Sequence, residues 1–147
     1  MRTMTAVLVM LLTAVSLFAH VGVTPRESRP GAVETYTLRV PSEGGMMTSS
    51  VALDVPPGVT ITSVASGDGF KHEETKVGTR ITQVIWTIQI KAGASANLTF
   101  VATNPAAGDA IVWKVHQRYS DGMSSDWVGA AGTRSPAPTT KLIAPVK

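Results

Sequence analysis

Beyond residue 20 the chain alternates apolar and polar positions with a period of two, in short runs closed by glycine and proline. Residues 35–40 put Tyr36, Leu38 and Val40 on one face, residues 49–55 put Val51, Leu53 and Val55 there, and residues 82–90 offer Val84, Trp86, Ile88 and Ile90. Residues 95–102 alternate Ala96, Leu98, Phe100 and Ala102. Residues 111–119 set Ile111, Trp113, Val115 and Tyr119 against Lys114, His116 and Arg118. A strand buried on one face requires this pattern, because successive side chains leave the backbone on opposite sides. Turn signals separate the runs: residues 25–31, Glu43-Gly44-Gly45, Pro56-Pro57-Gly58, Gly67-Asp68-Gly69, Asn104-Pro105 and Asp121-Gly122. No segment carries a sustained helical stripe. About seven to nine strands at this spacing predict an all-β sandwich of the immunoglobulin or fibronectin type III kind. One domain over residues 20–140, followed by a flexible tail over 141–147, accounts for the pattern.

Residues 1–19 follow another rule. A single positive charge, Arg2, precedes an apolar run from Ala6 to Phe18 that closes on Ser16-Leu17-Phe18-Ala19. This is the layout of a secretory signal peptide, and the run is shorter than the roughly 20 residues that span a bilayer. Cleavage after Ala19 makes His20 the mature N-terminus; Ala14-Val15-Ser16 is a competing site that leaves Leu17 first. Later apolar runs are too short to span, so the mature chain is expected to lack a membrane span and to be periplasmic or secreted.

Composition narrows the chemistry. With no cysteine among 147 residues, disulfide frames, zinc fingers, iron-sulfur clusters and thiol nucleophiles are excluded. Any metal is left to His, carboxylate, Met or backbone ligands. The net charge of +3 is interspersed, with no phosphate loop and no aromatic-plus-basic motif, so nucleic acid is not an expected partner. Neither G-x-S-x-G nor H-E-x-x-H occurs, no catalytic residue is assigned, and the chain is expected not to be an enzyme.

Processing after Ala19 gives His20 a free α-amine beside its imidazole. The amine nitrogen and Nδ1 close a chelate ring on one metal ion, and an α-amine, with an unperturbed pKa of about 7.7–8.0, loses its proton more readily than lysine. Nitrogen ligands of this kind favour Cu(II). A second imidazole could come only from His72 or His116. His116, between Lys114 and Arg118, is expected to be solvated or hydrogen-bonded, and His72 to lie exposed on a loop or edge. Met46 and Met47 read as packing or loop residues, since neighbours on a strand face opposite ways.

His20-Val21-Gly22-Val23-Thr24-Pro25, Gly31-Ala32, Tyr36-Thr37-Leu38-Arg39-Val40-Pro41-Ser42-Glu43, Trp113-Lys114-Val115-His116-Gln117, Tyr119-Ser120-Asp121-Gly122, Trp127-Val128-Gly129 and Pro136-Ala137-Pro138 follow in order along the chain. Together they resemble the YcnI-like family of exported bacterial copper-binding domains, over nearly all of residues 20–140. The resemblance implies a β-sandwich holding one Cu(II) in a monohistidine brace, made by the N-terminal amine and imidazole with a carboxylate and a tryptophan nearby. His20 matches the brace residue and Trp127 the tryptophan. It also implies an envelope copper chaperone or copper transporter as partner.

Relatives often carry glutamate where this chain has Ala52, so the carboxylate is expected from Glu43 instead. If residues 21–24 pair antiparallel with residues 33–40, His20 lies opposite the end of that strand, close to Glu43; Glu34 and Glu27 are weaker candidates. Trp127 lacks the long alternation around Trp86 and Trp113. It is expected beside the metal, offering a ring face and not donating a bond. The function that follows is Cu(II) binding in envelope copper homeostasis or trafficking. The alternatives are a copper-dependent oxidase or oxygenase, which needs a second imidazole, and a metal-free adhesion sandwich.

Overall fold

Each long alternating run forms a strand in the computed structural model, which describes residues 20–67 and 69–145. The expected signal segment lies outside the described residues. In chain order the strands are β1 (Gly22–Thr24), β2 (Glu27–Ser28), β3 (Val33–Pro41), β4 (Thr48–Asp54), β5 (Thr60–Val64) and β6 (Phe70–Val77). They continue as β7 (Arg80–Ile90), β8 (Ser95–Thr103), β9 (Ala110–Val112), β10 (Lys114–Tyr119), β11 (Ser124–Trp127) and β12 (Thr139–Leu142). Among the described residues twelve strands replace the expected seven to nine, because β1, β2, β9, β11 and β12 have only two to four residues, too few for alternation to show.

Two sheets face each other. One has the order β1-β3-β8-β5 and the other β11-β10-β4-β7-β6, while β2-β12-β9 forms a small third sheet. Inward residues of the two large sheets build one core around Tyr36, Phe100 and Trp113, whose ring centroids lie 4.9–5.5 Å apart. Strand β12 runs through Leu142, which is buried, so the ordered domain extends past the expected boundary at residue 140. Within it Thr140 accepts the Trp113 indole N–H at 3.0 Å and donates to the Pro25 carbonyl at 3.0 Å, tying the end of the chain to the segment after β1.

The connection from β1 to β3 is clipped by buried Asn104. Its carbonyl accepts the Tyr36 hydroxyl at 2.6 Å, and its amide donates to Ser28 Oγ and the Arg29 carbonyl, each at 2.8 Å. Asn104→Ala removes three hydrogen bonds made by one buried amide, with an expected loss of about 2–4 kcal/mol. Urea unfolding should show a lower midpoint at unchanged slope; an unchanged midpoint would mean the clip carries no stability.

Candidate metal centre

His20 stands where the edges of the two large sheets meet. The pairs Gly22 with Arg39, Val23 with Leu38 and Thr24 with Thr37 set the register of β1 on β3, and continuing it puts His20 opposite Pro41. Strand β1 is the edge of its sheet, and β11, which carries Trp127, is an edge of the other. The two residues come together: their ring centroids are 5.7 Å apart with planes at 59°. His20 is exposed and opens onto a cleft of about 810 Å³ along β1, walled by residues 131–133 and 136–139 and containing Arg26 and Arg39 but no carboxylate.

Trp127 departs from its expected setting in two ways. It is a core residue, 8% exposed, and its indole N–H donates to Gln117 Oε1 at 3.1 Å. Pairing of Trp127 with the inward Val115 turns it toward the interior, and β11 is too short for that parity to be read in sequence. Gln117, missed in the alternation of residues 111–119, is fully buried.

The carboxylates separate. Glu43 is exposed in the turn after β3, two residues beyond Pro41, where Gly44 and Gly45 adopt φ of 72° and 74° to lead the chain into β4. Glu34 accepts the Ser28 hydroxyl at the opposite end of β3, and Glu27 lies in β2 across from Lys141. Ala52 sits on the outer face of the five-stranded sheet, between Ile85 and His116, away from the seam. Among the described residues no three His, Asp or Glu side chains converge to hold a metal. Of the His, Asp and Glu side chains among the described residues, His20 is the one that meets Trp127 at the seam.

His116 meets carboxylates where its sequence neighbours suggested cations. Nδ1 lies 2.7 Å from Asp126 Oδ1 on β11, and Nε2 lies 2.8 Å from Asp54 Oδ2 on β4. Gln83 on β7 donates to the other Asp54 oxygen at 2.8 Å, so one polar chain crosses four strands on the outer face. His72 lies on β6, the far edge of the same sheet, with Nε2 at 3.7 Å from Glu74. Met46 and Met47 are half-buried in the turn between β3 and β4.

Residues 20–142 match the family described as Domain of unknown function (DUF1775). Over 127 residues the chain is 34% identical to the copper-binding protein CutI of Bacillus subtilis (strain 168), covering 84% of this chain and 62% of that protein's length. Among solved structures it is similar to an uncharacterized protein from Nocardia farcinica with an immunoglobulin-like fold, at a TM-score of 0.73 and 23% identity, covering 84% of this chain and 98% of that one. A non-cellulosomal cohesin from Archaeoglobus fulgidus aligns at a TM-score of 0.51 and 12% identity, over 84% of this chain and 90% of that one. The two structural likenesses show the fold, an immunoglobulin-like sandwich.

The outer-face chain titrates. Partial burial opposes charge on His116, but its hydrogen bonds to Asp126 and Asp54, and their charges, outweigh this and raise its pKa above the ordinary 6.5. Partial burial also opposes the Asp54 carboxylate, yet the bonds from His116 and Gln83 and the charges of His116 and Lys114 lower its pKa below 3.8. Folding thus binds the His116 proton more tightly, so its contribution is complete below pH 6.5 and fades as pH rises through the raised value. For Asp54 the contribution is complete above pH 3.8 and fades as pH falls through the lowered value. The clamp is at full strength between about pH 4 and 6.5. With side chains 37% and 40% exposed, solvent screening limits it to about 0.5–1 kcal/mol. The stability gap between the wild type and His116→Gln should shrink by that amount from pH 6 to 9. Urea unfolding across this range checks it, and a flat gap would remove the clamp from the account.

Proposed function

The chain belongs to the DUF1775 family, and we propose that it is a non-enzymatic copper-binding protein of the cell envelope that takes Cu(II) as cargo at His20. The observation that carries the reading is the imidazole of His20 against the indole of Trp127 at the seam of the sheets. A relative named for copper binding, matched across most of this chain, supports the choice of metal.

After removal of residues 1–19, His20 would hold the ion through its amine and Nδ1. Glu43, in the nearby turn, is our choice for the oxygen ligand, and Trp127 would shield one side. The cleft leaves the opposite side open to water or to a partner's ligand, which transfer to an envelope chaperone or transporter requires. A second imidazole is not at hand, which supports a cargo role over an oxygenase. Both His116 ring nitrogens are engaged on the outer face. His72, on β6, is four strands from β11, roughly 19 Å at about 4.8 Å per strand.

The test is a Cu(II) titration, followed by tryptophan fluorescence, of a form beginning at His20 and of one extended by a single residue. One-to-one binding with strong quenching is expected in the first, and a loss of at least about tenfold in affinity in the second. Equal binding by both, or none by either, would overturn the brace.

A further inference from the structure

We propose that Gln117 is the positioning residue of this centre, setting both the angle of Trp127 beside His20 and the shape of the turn that carries Glu43. The inference rests on the copper reading but has a metal-free consequence of its own.

Gln117 is fully buried on β10, and every polar atom of its amide is used. Nε2 donates to the Pro41 carbonyl at 2.8 Å and to Thr48 Oγ1 at 2.7 Å, while Oε1 accepts from Trp127 Nε1 at 3.1 Å. The hydroxyls beyond it fix the direction of the chain. Ser42 Oγ spends its hydrogen on the Met46 carbonyl at 2.6 Å, so across the 2.8 Å contact Thr48 must be the donor and Ser42 the acceptor. Thr48 oxygen then receives Gln117, and Gln117 oxygen is left for the indole. Turning the amide over would set an NH₂ group against an indole N–H and a carbonyl against a carbonyl, so one orientation survives.

The places this chain reaches are those of the candidate centre. Pro41 is the residue opposite His20 by register, Ser42 and Met46 bracket Glu43 in its turn, and Trp127 lies against the His20 ring. Thr48 faces inward only because a register shift between Thr48 and Ser50 breaks the alternation of β4. Burying an amide here is costly where an apolar side chain could pack. The core does not demand a partner for every indole either, since the fully buried Trp86 Nε1 has none. The cost is explained by a gain in orientation.

Gln117→Met keeps the volume and removes every bond; Thr48→Val, nearly isosteric, cuts only the branch to the turn. Both are made in the form beginning at His20, with folding checked by cooperative unfolding. Proton NMR without metal reads the ring-current shift that Trp127 imposes on the His20 ring. Cu(II) affinity and the copper EPR spectrum read the loaded site, and Trp127→Phe identifies the share of the quenching that belongs to Trp127. Gln117→Met should lose most of the ring-current shift and of the Trp127 quenching, with altered EPR parameters and affinity down about tenfold. Thr48→Val should keep the ring-current shift yet lose affinity. It also stands in if Gln117→Met fails to fold. Wild-type spectra, quenching and affinity in Gln117→Met, or wild-type affinity in Thr48→Val, would overturn the proposal. If the wild-type form binds no Cu(II), the copper reading fails by itself, and a ring-current shift preserved in Gln117→Met would then separately refute positioning.

Discussion

Three backbone pairs between β1 and β3 set where His20 meets Trp127. They lock because Val21 and Val23 are 4% and 3% exposed, packed into the core from an edge strand. A slip of one residue would turn both valines outward and drive His20 inward, reversing every side chain of the segment. The short strand is thus held in register less by its own hydrogen bonds than by two buried methyl-rich side chains, and the position of the His20 imidazole is inherited from them. The clip at Asn104 and the Thr140 bond to Pro25 act on the same segment from its other end.

Strand β11 poses the converse problem. At four residues on a sheet edge it should fray, yet it carries the tryptophan that faces His20. It is fastened from both sides of the sheet by consecutive residues of β10. Outward, His116 takes Asp126; inward, Gln117 takes Trp127. Because neighbours on a strand point to opposite faces, two adjacent residue pairs pin both surfaces of the edge at one level. The outer fastening is exposed and pH-dependent, whereas the inner one is buried and neutral, so the indole keeps a fixed partner across the range in which His116 loses its proton.

This division also explains what the amino-acid sequence makes legible. The inward faces of β3, β4, β7 and β8 follow from alternation alone, since long strands repeat the pattern often enough to define a face. Gln117 breaks that pattern, and its meaning lies in Pro41, Thr48 and Trp127, which the fold brings to it from other strands. Sequence neighbours Lys114 and Arg118 suggest a cationic setting for His116, but its cross-strand partners are acidic. His20 is flagged by its place after Ala19 and by family resemblance, Trp127 by the resemblance and by its lack of long alternation. Their contact depends on two sheet edges closing on each other, which no local pattern encodes. In sequence Trp127 reads as detached from the core because β11 is too short to display its parity.

On the copper reading, the fold and the processing event divide the work of building a site. The sandwich places one imidazole and an indole together where two sheet edges meet, but among the described residues it assembles no cluster of three His, Asp or Glu ligands. An imidazole alone is a monodentate ligand; only a free amine on the same residue makes it a chelate. While His20 remains joined to Ala19, its nitrogen is an amide, and the strong donor pair does not exist. The same folded domain would therefore hold copper poorly before cleavage and well after it, without rearrangement of the core. On that reading binding would be confined to the compartment in which the preceding segment is removed, because cleavage would create the one nitrogen donor that the fold does not supply.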